Sequence, residues 1–232
     1  MITLRPALER GHFFIDWLDS WHSFSFGEYM DRAHMGWGPL RVINDDTVAP
    51  KGGFPTHSHQ DMEIISYVLQ GQLEHRDSLG TGSVIRAGDI QRMRAGSGIR
   101  HSEYNASAEE SVHFLQIWLI PHTRGLAPGY AQEAIAAGSR DNQWLLLAAE
   151  PGAGGLIDIA AHARLYATLL HEGHTLTFEH DNPLAYVHIA RGHVELNGLS
   201  LRTGDGAYIE NERQLDLIAR EHSEVLLFSL QR

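Results

Sequence analysis

Along the chain, apolar residues come in short runs or alternate with polar ones, and sustained helical spacing is hard to find. Residues 40–43, 64–69, 83–86, 112–120, 144–148, 165–170, 184–190, 193–196 and 225–230 read as strands. Turn-forming residues separate them, among them Gln70-Gly71, Ala87-Gly88-Asp89, Arg191-Gly192, Asn197-Gly198 and Thr203-Gly204-Asp205. Many short strands at this spacing predict an all-β sandwich or barrel. The best helix candidate is 130–137, preceded by Pro128-Gly129 and followed by Gly138. It is short and lies mid-chain, so it is expected to act as a helical connector.

An internal repeat divides this pattern in two. Ile65-Ser66-Tyr67-Val68-Leu69-Gln70-Gly71-Gln72-Leu73-Glu74 is echoed by Ala185-Tyr186-Val187-His188-Ile189-Ala190-Arg191-Gly192-His193-Val194-Glu195 around the strand–Gly–strand step, and Arg86-Ala87-Gly88-Asp89 by Arg202-Thr203-Gly204-Asp205. Two copies of one β unit are expected, the first over 1–130 and the second over 131–232.

Composition removes several classes of function. With no cysteine among 232 residues, disulfide scaffolds, thiolate metal sites and thiol catalysis are excluded. Eighteen Lys+Arg against 29 Asp+Glu leave a charge of −11, which argues against direct nucleic-acid binding through a broad basic face. The N-terminal residues lack the apolar stretch of a signal peptide, and the longest apolar run, 112–120, is too short to span a bilayer. A cytoplasmic chain without membrane contact is expected.

Sixteen histidines remain to be sorted. In a strand, residues i and i+2 face the same side, so His57 and His59 present two imidazoles to one point. After Gly96-Ser97-Gly98, His101 and Glu103 share a face in the same way. Three neutral imidazoles and a carboxylate suit iron, manganese, nickel, copper or zinc, whereas calcium would want mostly oxygen. Glu63 has the parity of His59 and stays open as a ligand on spacing alone. His12, His22, His34, His75, His122, His162, His171, His174 and His222 have no partner at strand spacing and read as exposed or hydrogen-bonded side chains. His113 sits in an apolar run, as core or pocket wall.

The spacing His-x-His-x3-Glu followed by Gly-x2-His-x3-Asn (His57, His59, Glu63; Gly98, His101, Asn105) resembles the two motifs of the cupin superfamily. More narrowly, Asp19-Ser20-Trp21-His22-Ser23-Phe24-Ser25-Phe26, Leu40-Arg41-Val42-Ile43-Asn44-Asp45-Asp46, Phe54-Pro55-Thr56-His57-Ser58-His59 and Gly96-Ser97-Gly98-Ile99-Arg100-His101-Ser102-Glu103 are similar to pirins. That resemblance is specific over about 17–118 and fainter to the C-terminus. It implies a bicupin, two double-stranded β-barrels. It also implies that Glu103 is the fourth ligand, leaving Asp61 and Glu63 in supporting roles. Ser58 stands where many pirins carry proline, on the strand face away from the ligands.

Counting from the shared glycines carries the comparison into the second unit. The steps from Gly71 that reach His57 and His59 reach Phe178 and His180 from Gly192. The step from Gly88 to His101 leads from Gly204 to Leu217. One metal site, in the first barrel, is expected.

What pirin resemblance implies for function is a quercetin 2,3-dioxygenase, an oxidoreductase opening flavonols with molecular oxygen. It would use one divalent transition metal, Fe(II) first, with Zn, Mn, Ni, Cu and Co also compatible. Glu103 would be the catalytic base. Phe54 and the aromatic-rich segment 21–26 would grip a flat ligand, unless they pack the core. The chain is expected to act as a monomer on a small aromatic substrate. The resemblance also supplies a non-enzymatic alternative, a metal-binding transcriptional co-regulator working through protein partners.

Overall fold

The alternating runs fold as strands throughout the computed structural model, which describes residues 1–232. The first half carries β1 (Ile2–Arg5), β2 (Gly11–Ile15), β3 (Leu18–His22), β4 (Leu40–Val48), β5 (Gly53–His59), β6 (Glu63–Gln70), β7 (Gln72–Asp77), β8 (Gly82–Arg86), β9 (Asp89–Arg94), β10 (Ile99–Asn105), β11 (Val112–Leu119) and β12 (Gly129–Ala134). The second half carries β13 (Leu145–Ala149), β14 (Ile157–Asp158), β15 (Ala163–Leu170), β16 (Thr175–Glu179), β17 (Leu184–Arg191), β18 (His193–Leu196), β19 (Leu199–Arg202), β20 (Gly206–Glu210), β21 (Gln214–Ala219) and β22 (Ser223–Leu230). All nine strands expected from the sequence are present, most of them longer by a few residues. No helix is long and apolar enough to cross a membrane.

The repeat is a repeat of structure. The first barrel joins a seven-stranded sheet, β12-β9-β6-β11-β4-β3-β2, to a four-stranded one, β5-β10-β7-β8. The second joins β1-β20-β17-β22-β15-β13-β14 to β16-β21-β18-β19, with β20-β17-β22-β15 matching β9-β6-β11-β4 and the four-stranded sheets in the same order. The matching turns close alike. Asp89 Oδ2 accepts from the Arg86 amide at 2.9 Å, and Asp205 Oδ2 from the Arg202 amide at 2.8 Å. Gly88 and Gly204 take φ of +90° and +83°, a region that disfavours side chains.

Two features cross the expected divide. Residues 130–137 do not form a helical connector, because β12 lies along β9 with Tyr130 opposite Met93 and Ala134 opposite Asp89. An isolated helix of that length would gain little from its few internal hydrogen bonds. The open edge of β9 instead satisfies this backbone, and Gln132 donates to Val84 O and Asp89 Oδ2. The division at 130/131 therefore falls inside a strand of the first barrel. At the other end, β1 pairs with β20 and completes the second barrel's sheet. The only helical pieces are 3-10 turns at Ala7–Glu9 and Arg32–His34.

The apolar core is unevenly shared. A cluster of 24 buried residues, including Phe24, Ile65, Tyr67, Tyr186 and Phe228, joins the two large sheets where the barrels meet. The second barrel's interior holds a further 15. The first barrel's interior has only two smaller clusters, of 7 and 4 residues, because polar side chains and a cavity occupy its middle.

Gly192 tests the shared architecture. Its φ is +91°, and a Cβ there would meet His222 O at 2.5 Å, whereas Gly80 (φ +89°) has nothing within 4 Å. Gly80→Ala should lose on the order of 1–2 kcal/mol through φ alone, and Gly192→Ala distinctly more. Urea denaturation of both variants measures this, and equal losses would mean that the hairpin tolerates the clash.

Candidate metal centre

The His-x-His strand and the glycine-initiated strand are hydrogen-bonded neighbours. On β5 and β10, His57 lies directly opposite His101 and Phe54 opposite Glu103. The ladder thus spans three residues on β5 for two on β10, a bulge at Pro55-Thr56 that suits a proline without an amide proton. The Pro55 carbonyl accepts from His57 Nδ1 at 2.8 Å, so Nδ1 carries the proton and Nε2 is left with its lone pair.

Three imidazoles then converge. The ring centroids of His57, His59 and His101 lie 4.5–4.9 Å apart, and each ring offers a nitrogen within 4.8 Å of the others. His57 Nε2 and His101 Nε2 are 3.1 Å apart. Two nitrogens bound to one ion at about 2.1 Å would be separated by roughly 3.0–3.4 Å, so this spacing fits a shared metal. Burial, then the neighbouring imidazoles, pull His59 down to about 4 and His101 to about 3. Both rings are held in the neutral, metal-binding form.

Glu103 is nearly inaccessible and grouped with His101. Its Oε1 accepts from Ser66 Oγ at 3.1 Å and its Oε2 from Gln116 Nε2 at 2.8 Å. Each oxygen keeps a second lone pair, so these bonds orient the carboxylate without using it up. Glu63 points elsewhere. It is fully buried, its Oε1 takes a 2.5 Å bond from Arg94 Nε, and Arg92 stands 3.6 Å from Oε2. The spacing that left it open as a ligand is answered by these arginines. Asp61 accepts from the Gly125 amide at 2.7 Å and pins a loop.

A cavity of about 340 Å³ opens onto this cluster. Phe26, Phe54 and Trp118 are among its walls, and Trp118 meets His59 and Phe26 edge-on at 4.9 and 5.3 Å. The aromatic segment 21–26 is divided between several environments, because β3 ends at His22 and the chain turns away beyond it. His22 and Phe26 line the cavity, Phe24 packs between the barrels, and Trp21 stacks on His12 at 3.9 Å. His113 is neither core nor wall, because its Nε2 bonds Asp45 Oδ1 at 2.6 Å beside Arg10.

Several cavity residues had no signal in the strand-spacing argument. Ser20, His22, Asn44 and Asp46 line the side formed by β3 and β4. Ser20 Oγ reaches His22 Nε2 at 2.8 Å and donates to Asp46 Oδ1. His75, fully buried on β7, forms a second close group with His101 and Glu103. The repeat holds a clue to it: four residues beyond Gly71 is His75, and four beyond Gly192 is Leu196.

The second barrel fills the equivalent interior with apolar groups. Phe178, Leu196, Leu217 and Ala219 are all buried in its core. His180 is retained at the rim, its Nδ1 3.4 Å from Ser229 Oγ. Clusters able to hold a metal occur in the first barrel alone.

Comparison with known proteins finds relatives for both halves of the chain. The pirin family model matches residues 3–119, and the model of the quercetinase C-terminal cupin domain matches 146–230. Quercetin 2,3-dioxygenase of Escherichia coli K12 is 42% identical over 99% of both chains. A pirin-like protein of Caulobacter vibrioides is 40% identical over 98% of both. The crystal structure of the bacterial pirin YhhW from Escherichia coli in complex with nickel(II) superposes with a TM-score of 0.94 at 41% identity, covering 100% of this chain and 99% of that one.

Asp46 gives a test of the cavity's electrostatics. Burial is the main cause that pushes its carboxyl from 3.8 up to about 7, against the hydrogen bond from Ser20. Folding of metal-free protein therefore takes up a proton between those values, and stability falls as pH rises from about 4 to about 7. Asp46→Asn should flatten that fall. Thermal melts of chelator-treated protein at about pH 5 and about pH 8 measure it, and an unchanged difference between wild type and variant would refute the assignment. With its motifs on adjacent strands and both barrels matched along the chain, this protein belongs to the pirin family of bicupins.

Proposed function

We propose that the first barrel binds one divalent transition metal through His57, His59, His101 and Glu103, and that the chain opens flavonols with molecular oxygen. The observation that carries this reading is the aromatic-walled cavity of about 340 Å³ ending on those imidazoles and Glu103. Its size suits a small flat ligand. Support also comes from the relatives named for quercetin 2,3-dioxygenase activity and from the nickel(II) carried by a pirin of the same fold.

A bound ion would supply Lewis acidity toward a flavonol oxygen and an open position for a further ligand. The chain's own residues do the rest. Phe54, Phe26 and Trp118 hold the ring system and keep water from the site. Glu103, oriented by Ser66 and Gln116, takes the proton of the 3-hydroxyl as general base. Asp46, its carboxyl raised to about 7 and so protonated in mildly acidic solution, can there donate a hydrogen bond to the substrate's oxygens from the β4 side. Among candidate ions we place Fe(II) first, with Ni, Mn, Co, Cu and Zn compared by activity after separate loading.

Oxygen uptake with quercetin tests the reading. Iron-loaded wild type should consume oxygen. Glu103→Ala should lower the rate by about 10²–10⁴-fold, and His101→Ala should lose the metal. Glu63→Gln should keep metal binding, since Arg94 holds that carboxylate apart from the imidazoles. Fully metallated protein that consumes no oxygen with any of several flavonols would overturn the dioxygenase reading in favour of a metal-dependent regulatory protein.

A further inference from the structure

His75 belongs to none of the roles above, yet its surroundings are specific. It lies across the β7–β10 ladder from Glu103 and is fully buried. Its Nε2 is 3.0 Å from Asp77 Oδ2. An ionised carboxylate only accepts, so Nε2 carries the proton and Nδ1 holds a lone pair. That Nδ1 is buried without a hydrogen-bond partner.

His101 presents the complementary vacancy. Its Nε2 faces His57 Nε2 at 3.1 Å, and ligation of one ion by both nitrogens would put the His101 lone pair there and its proton on Nδ1. Nδ1 of His101 is also buried without a partner. The two ring centroids are 5.4 Å apart with planes tilted by 44°. With each nitrogen about 1 Å from its own centroid, nitrogens turned toward each other come within about 3 Å, the length of a hydrogen bond. Buried polar atoms are seldom left unpaired, and a hydrogen bond between these two nitrogens would satisfy both.

We propose that Asp77, His75 and His101 form a hydrogen-bonded relay, with His75 a positioning residue that accepts the Nδ1 proton of His101 and fixes Nε2 as the ligating atom. The proposal rests on the reading of His57, His59, His101 and Glu103 as a metal site. The relay is anchored at its far end, since Asp77 Oδ1 accepts from the amides of Leu79 and Thr81 at 2.9 and 3.1 Å. Tyr130 packs against the His75 ring at 4.9 Å. In the second barrel the register corrects the count from Gly204: Leu215 faces Phe178 as His101 faces His57, and Leu196 faces Leu217 as His75 faces Glu103, so leucines stand in place of His101, Glu103 and His75 alike. Ligand and support are replaced together.

Titration with Ni(II), and the visible spectrum of the Co(II)-loaded protein, test it in three variants. His75→Leu should weaken Ni(II) binding by roughly 10–100-fold and shift the Co(II) bands. His75→Asn puts an amide oxygen near the Nδ1 position as an acceptor, and should recover part of that loss. Asp77→Asn keeps Oδ1 for the turn but offers an amide donor to His75 Nε2. This moves the His75 proton to Nδ1, against that of His101, so the loss should match His75→Leu. Melting curves of the metal-free variants establish folding, and where His75→Leu fails to fold the other two carry the comparison. Wild-type affinity and spectrum in all folded variants would overturn the relay, as would His75→Asn binding no better than His75→Leu. A wild-type chain that binds neither ion would overturn the metal reading beneath it.

Discussion

A barrel interior that holds imidazoles and carboxylates must draw its stability from somewhere else. Buried polar groups are tolerated only when hydrogen-bonded, and they displace apolar surface that would otherwise drive folding. In the second barrel Phe178, Leu196, Leu217 and Ala219 fill the interior and join a single cluster of 15 residues. The equivalent interior of the first barrel is split into clusters of 7 and 4 around the cavity. The difference is offset at the interface, where 24 buried residues from both large sheets form the largest core in the chain. The second barrel thereby works as a scaffold. Tyr67 and Arg140 reinforce the junction, both bonded to Glu224 Oε1 at 2.6 and 2.7 Å.

The same constraint sets the charge state of each buried acid through its partners. Asp45 and Asp46 are chain neighbours on β4, and alternation sends them to opposite sides of the sheet. Burial would raise Asp45, but the bond from His113 and the charges of His113 and Arg10 outweigh it and hold Asp45 at about 2. Asp46 has only a serine hydroxyl to offset its burial, with Asp45 and Glu103 repelling its charge, and stands at about 7. Adjacent carboxyls so separated suit different tasks, a fixed anion between the barrels and a proton donor in the cavity. Glu63, although fully buried, has Arg94 and Arg92 as countercharges.

What was legible in the sequence was whatever depends on neighbours along the chain. His57 and His59 converge because period-two alternation is a local rule, and the Gly88-Asp89 and Gly204-Asp205 turns recur because each is closed by its own aspartate. Residues 130–137 depart from their local pattern for the converse reason. Pro128, Gly129 and Gly138 are local helix punctuation, but the open edge of β9, distant in sequence, decided the outcome. The pairing of β1 with β20 spans almost the whole chain and left no local trace. His75 carries no signal at strand spacing because its neighbours at the site are reached across a ladder, Glu103 opposite it and His101 two residues further on. The repeat still held that information, since the aligned position is leucine.

Glu103 shows how the two sheets of the first barrel combine into one site. The three converging imidazoles come from β5 and β10 of the four-stranded sheet, whereas Ser20, His22, Asn44 and Asp46 come from β3 and β4 of the seven-stranded one. Glu103 rises from β10 and is held by Ser66 on β6 and Gln116 on β11, both strands of the large sheet. It therefore ties the sheets together across the barrel. Moving either sheet relative to the other would disturb the carboxylate and the adjacent imidazole together. The large sheet is in turn fixed by its packing against the second barrel. A barrel with no metal-binding cluster of its own thus bears on the placement of Glu103, through one continuous sheet and two hydrogen bonds.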